Sequence, residues 1–166
     1  MHSSPSWWAA KVRQFRAHVR AAVAPAERSG LEAWLTDPQL ALFDGMHVAD
    51  RRHGLDVLAT LRAEGVADPE VWLAGLLHDA GKGQTGVWPR VVYSLGQAFG
   101  GWVSRIAGVV PGFGAALTRL QDHAATSASM ALAAGCSQRT ADLIRHQDAP
   151  IDPDAGRLLQ LADEAN

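Results

Sequence analysis

The apolar residues of this chain recur at α-helical spacing along nearly its whole length. In residues 5–23 they fall on one helical face, and lysine and arginine occupy the others. Asp37-Pro38 and Asp68-Pro69 each place a capping aspartate before a first-turn proline, which is typical of a helix N-terminus. The chain shows neither a strand-like alternation of useful length nor an internal repeat. The sequence therefore predicts an all-α fold.

The predicted helices follow one another along a chain whose 166 residues correspond to a single domain. We expect residues 1–43 to form an N-terminal helical extension that packs on the core, and residues 44–166 to form that core. The periodicity and the capping residues predict helices over 5–23, 30–35, 38–43, 47–64, 69–80, 88–121 (with breaks), 123–134, 138–146 and 154–163.

Composition and charge narrow the classes of function. The net charge of −2 gives no indication of a nucleic-acid partner. Cys136 is the single cysteine, so the chain forms no internal disulfide, which fits a reducing cytoplasm. The sequence shows no signal peptide and no uninterrupted apolar run of membrane-spanning length. We therefore expect a cytoplasmic protein whose basic N-terminal helix covers the domain and does not bind a membrane.

His78-Asp79 is the dipeptide that most clearly suggests a chemical role, because it ends an apolar run and precedes Gly81-Lys82. A neutral imidazole and a carboxylate are both good ligands for a divalent cation. Neighbouring helical residues point about 100° apart, so both can reach one ion only near a helix end or between helices. His53, His123, His146 and Asp163 are further candidate ligands from distant parts of the chain.

The sequence GLLHDAGK at residues 75–82 resembles the signature motif of the HD-domain metal-dependent phosphohydrolases. The resemblance covers roughly residues 44–166. Residues 50–58 are similar to the helix that carries the family's first histidine, and residues 158–163 to its closing helix. It implies an HD-type helical bundle in which one metal site is formed by His53, His78, Asp79 and Asp163.

The same resemblance leaves open whether the chain binds one metal ion or two. In binuclear members two further histidines hold the second ion, and His123 and His146 occupy the corresponding positions. The chain departs from some members at Gln147, where they carry another histidine. It also lacks the Gly-Tyr-Pro element of cyclic di-GMP phosphodiesterases. The metal could be manganese, iron, cobalt, zinc or magnesium.

The resemblance implies hydrolysis of a phosphate mono- or diester by water activated at the metal. The substrate would be a small molecule, a nucleotide or nucleotide-like metabolite, with Asp79 and Lys82 as catalytic residues. Lys82 lies one turn after His78, where it can reach a bound phosphate or stabilise a helix end. We expect residues 84–121 to line the pocket. The alternative is a catalytically degenerate HD domain that serves as a metal- or nucleotide-binding sensor or scaffold. The oligomeric state does not follow from the sequence.

Overall fold

A computed structural model describes residues 21–83 and 122–166, which form helices and no strands. This confirms the predicted all-α, single-domain fold for that part of the chain. The predicted helices over 5–23 and 88–121 lie outside the described residues, apart from the last three residues of the first. The predicted pocket lining lies outside them as well. None of the described helices is long and apolar enough to cross a membrane. The helices are α1 (Pro25–Glu32), α2 (Asp37–Gly45), α3 (Val48–Ala63), α4 (Pro69–Leu77), a 3-10 turn (Ala80–Lys82), α5 (His123–Ala133), α6 (Gln138–Arg145) and α7 (Ala155–Ala165).

Helix α1 is the element whose position differs most from the prediction, which placed a helix at 30–35. It begins at Pro25 because proline suits the first helical position, where no backbone N–H is needed. The backbone N–H of Ala24 donates to Glu27 Oε2 at 2.9 Å. That bond ties the chain entering the helix to its first turn, as the glutamate of a capping box does.

Side-chain caps begin three of the other helices near the predicted positions. Asp68 Oδ1 accepts from Glu70 N at 2.9 Å at the start of α4. Ser137 Oγ accepts from the first turn of α6. His47 Nδ1 accepts from Ala49 N at 3.2 Å at the start of α3, so this histidine has a structural role. Each cap supplies an acceptor to an N–H that the helix itself leaves unpaired.

Helix α4 contacts α3, α6 and α7, while α5 packs against α6 and against the 3-10 turn. The core between them is apolar, and each fully buried aliphatic or aromatic side chain contributes roughly 1.5–3 kcal/mol relative to exposure. Its most buried large members are Phe43, Val57, Leu61, Val71, Leu76, Leu77, Ile144 and Leu159.

Two glycines allow α3 and α4 to approach closely. A Cβ on Gly54 of α3 would lie 2.5 Å from the carbonyl oxygen of Leu76 in α4. A Cβ on Gly75 of α4 would lie 2.8 Å from Leu61 Cδ1. Because a real Cβ is not found at such distances, a side chain at Gly54 would push the two backbones apart, whereas one at Gly75 would displace the side chain of Leu61. This approach also brings the rings of His53 and His78 to a centroid distance of 5.1 Å.

Replacing Gly54 with alanine is expected to lower the free energy of unfolding by about 1–3 kcal/mol, because the methyl group overpacks the contact. Gly30→Ala in α1 is the matched control, since its Cβ would meet nothing within 4 Å. The control should be neutral or stabilising by about 0.5–1 kcal/mol, because alanine is the better helix former. Urea unfolding followed by circular dichroism measures both. Equal stabilities of the two variants would contradict the close contact at Gly54.

Candidate metal centre

Three distant segments place His53, His78 and Asp163 side by side. One ligand atom from each lies within 4.8 Å of the other two, and among residues 21–83 and 122–166 no other group of three or more such side chains does so. His53 Nε2 donates to Asp163 Oδ1 at 2.7 Å, although the two residues are 110 positions apart. His78 Nε2 lies 3.4 Å from the same oxygen. The helices α3, α4 and α7 thus converge on one point.

The ring of His78 is oriented by the backbone of its own helix. Its Nδ1–H donates to the carbonyl oxygen of Gly75 at 2.9 Å, which directs Nε2 toward the carboxylates. Nε2 lies 3.4 Å from Asp79 Oδ1 as well as from Asp163 Oδ1. Such a hydrogen bond to the far ring nitrogen selects the tautomer that a metal-binding histidine needs.

Asp79 is a buried carboxylate, with 2% of its side chain exposed, whose two oxygens have different surroundings. Lys82 Nζ donates to Oδ2 at 2.6 Å. Oδ1 has no hydrogen-bond partner among the described residues and lies 3.7 Å from His123 Nε2. A buried acceptor without a donor is costly, and a positive ion near His78 would satisfy it.

The charged groups of the cluster shift one another's pKa values. Burial alone would lower the pKa of His78, but Asp79 and Asp163 outweigh it and raise that pKa to about 9. Burial would raise the pKa of Asp79, yet His78 and Lys82 hold it well below its usual range. Burial likewise opposes the hydrogen bonds from His53 and His78 that lower the pKa of Asp163. The carboxylates therefore favour positive charge at His78 Nε2, whether a proton or a metal ion carries it.

The 3-10 turn that follows Asp79 is in direct contact with α5. The backbone N–H of Gly81 donates to Ser127 Oγ at 2.8 Å. A Cβ on Gly81 would lie 2.5 Å from the carbonyl oxygen of His123, so glycine permits the contact. The sequence predicts Ser127 to be a small packing residue. The structure shows that it is also the hydroxyl acceptor that connects this turn to α5.

The two remaining predicted ligands lie in different surroundings. His123 lies beside Asp79, and its Nε2 is 2.8 Å from the side-chain amide of Gln147. His146 Nδ1 donates to the carbonyl oxygen of Asp142 at 2.9 Å. It also lines a surface pocket formed with residues 150–153. Among the described residues, neither histidine joins the group of three. Gln147 is a polar contact of the site that the sequence marked only as a departure from the family pattern.

The donor set of this cluster fits a divalent cation. Two imidazole nitrogens and a carboxylate oxygen converge, and Asp79 Oδ1 adds an acceptor that has no donor. Mixed imidazole and carboxylate ligands suit first-row divalent metals. No family model, curated protein or solved structure matches the chain. The resemblance to HD-domain phosphohydrolases therefore remains a proposal that depends on the motif residues.

Ser127→Ala is expected to lower the free energy of unfolding by about 1–3 kcal/mol, because it leaves the buried N–H of Gly81 without an acceptor. Ser129→Ala is the matched control on the same helix, since its exposed hydroxyl bonds only to the carbonyl of Ala125 in the preceding turn. That variant should stay within about 0.5 kcal/mol of the wild type. Thermal and urea unfolding measure the difference, and a Ser127 variant as stable as the control would refute this role.

Proposed function

We propose that this chain is an HD-type metal-dependent phosphohydrolase that cleaves a phosphate mono- or diester of a nucleotide or nucleotide-like metabolite. The observation that carries the proposal is the convergence of His53, His78 and Asp163 beside a buried Asp79 oxygen without a donor. These four residues appear along the chain in the order of the family's motif residues. A sequence pattern and the geometry of the cluster therefore both support the proposal.

In this proposal one divalent cation would be held by four ligands, which are His53, His78, Asp79 and Asp163. Bound there, a divalent cation would supply a Lewis acid for the phosphoryl group and would favour ionisation of a water beside it. Gly75 holds the ring of His78 so that Nε2 points into the cluster. His53 Nε2 and Asp163 Oδ1 lie 2.7 Å apart, so both candidate ligand atoms already face the same point. The chain itself thus orients the ligands before any substrate arrives.

Lys82 is proposed to bind the substrate phosphate while it remains paired with Asp79. Its ammonium reaches the buried Oδ2 of Asp79 although a quarter of its own side chain is exposed. An ammonium has three N–H donors, so donating to Asp79 is compatible with donating to a phosphate oxygen. The pair also reduces the negative charge that an anionic substrate meets at this site.

The first test is the metal content of protein produced in manganese- and zinc-supplemented medium. We expect bound metal in the wild type and its loss in His78→Ala and in the isosteric Asp163→Asn, since each removes a ligand. Asp56→Ala is the control: this half-exposed aspartate of α3 pairs with Arg52 and should leave the metal content unchanged. Elemental analysis, with circular dichroism to verify folding, gives the answer. A wild type that contains no metal and does not bind added Mn²⁺ would refute the proposal.

The second test measures the contribution of Lys82. Lys82→Ala should reduce kcat/KM about 10- to 100-fold on a phosphate ester that the wild type hydrolyses, the value of one hydrogen bond to a charged group. Its metal content should not change, because the ammonium is not a ligand. Lys82→Arg keeps the charge and should lose less activity. Unchanged kinetics in the alanine variant would show that Lys82 does not bind the substrate phosphate and only pairs with Asp79.

The screen that supplies this substrate also separates the two candidate functions. It should contain phosphate monoesters, phosphate diesters and nucleotides, each tested with several divalent metals. Turnover that disappears with His78→Ala supports the hydrolase. Metal binding without turnover of any compound would instead favour the degenerate HD domain that acts as a sensor or scaffold.

A further inference from the structure

Helix α7 presents an apolar stripe to solvent on the side that faces away from the core. Its inward residues Ala155, Leu159 and Ala162 are buried, whereas Leu158 and Leu161 are 40% and 46% exposed. The two leucines are three positions apart, so they are neighbours on one face of the helix. A single exposed leucine is ordinary, but adjacent apolar side chains with a polar border are typical of a contact surface.

Two charged residues border the leucines along one edge of the stripe. Arg157 and Glu164 are both exposed and lie seven positions apart, which is about two helical turns. Arg157 donates to Gln160 Oε1 within the helix. Neither charge forms an ion pair with any residue of 21–83 or 122–166. The stripe therefore has a positive charge before its two leucines and a negative charge after them.

This arrangement is complementary to itself under a two-fold rotation. If a second α7 runs antiparallel, with the rotation axis midway between the leucines, Leu158 of each copy meets Leu161 of the other. The rotation keeps Arg157 and Glu164 on the same edge of the stripe but reverses their order. At about 1.5 Å of rise per residue, Arg157 then lies within about 3 Å, along the helix axis, of Glu164 of the second copy. The reciprocal pair follows by symmetry.

A parallel pairing through the same stripe would be repulsive. It would place Arg157 beside Arg157 of the second copy and Glu164 beside Glu164. Like charges at an interface disfavour association, whereas opposite charges fix the orientation of the partners. The order of the charges along α7 therefore favours a second copy of this chain in the antiparallel orientation.

We propose that the outer face of α7 is the interface of a two-fold dimer, in which Leu158 packs on Leu161 of the other copy and Arg157 pairs with Glu164. A contact between two three-turn helices is small, so the dimer should dissociate on dilution. The inference does not depend on the proposed function. Asp163 is directed toward His53 on another side of the same helix.

Sedimentation equilibrium of the full chain over a range of concentrations measures the association. The wild type should shift from monomer to dimer as the concentration rises. Leu161→Glu should raise the dissociation constant about 100-fold or more, because each dimer loses two apolar contacts and gains two carboxylates at the interface. Leu132→Glu, at an exposed leucine of α5, is the control and should keep the wild-type constant. Circular dichroism verifies that both variants fold.

The charges provide a second test, which is specific for the antiparallel pairing. Arg157→Glu and Glu164→Arg should each weaken self-association on the order of 10-fold, because each makes both interfacial pairs repulsive. A mixture of the two variants should form a heterodimer, in which both pairs again join opposite charges. The chain that carries both exchanges should dimerise like the wild type.

Each measurement has a result that overturns the inference. A wild type that remains monomeric up to about 1 mM has no such dimer. If Leu161→Glu then lowers the free energy of unfolding more than Leu132→Glu does, other residues of the same chain cover the stripe. A dimer that Leu161→Glu leaves intact has its interface elsewhere. A mixture of the charge variants that associates no better than either alone excludes the antiparallel pairing.

Discussion

Asp79 carries a buried carboxylate, and the residues around it must compensate its negative charge. An ionised carboxylate removed from water costs several kcal/mol unless charges and donors compensate it. Lys82 provides the donor for one oxygen, and the rings of His78 and His123 lie beside the other. These partners come from the end of α4, the 3-10 turn and the start of α5, so the three segments must meet at this point. Gly81 makes that meeting possible, because a side chain there would collide with the backbone of α5.

The same close packing connects the core to the candidate site. Gly75 leaves room for the side chains of Leu61 and Val57, while its carbonyl oxygen accepts the hydrogen bond that orients His78. Gly54 lies next to His53 and allows α3 to touch the backbone of α4. The distance between the two histidine rings is thus a consequence of how tightly the helices pack. A substitution in this part of the core would displace the two candidate ligands even without touching them.

His123 has a polar neighbour that the sequence pattern did not indicate. Its distance from Asp79 makes it a candidate ligand, as the sequence predicted. The side-chain amide of Gln147 lies 2.8 Å from the same ring nitrogen. His146, one residue earlier, directs its Nδ1 to the carbonyl oxygen of Asp142. Of these two adjacent positions, Gln147 is therefore the one that reaches the cluster, although the sequence pattern suggested His146.

The sequence by itself determined most of the described helices, because caps, prolines and apolar spacing act over a few residues. The residues of the cluster were indicated by the family resemblance. Asp68-Pro69 and Ser137 predicted the starts of α4 and α6, whereas the helix predicted over 30–35 begins earlier in the structure, at Pro25. The tertiary structure alone decided which side chains meet. The acceptor role of Ser127, the contact of Gln147 with His123 and the separation of His146 all join segments far apart in the chain. Such contacts depend on the packing of whole helices, which local spacing does not specify.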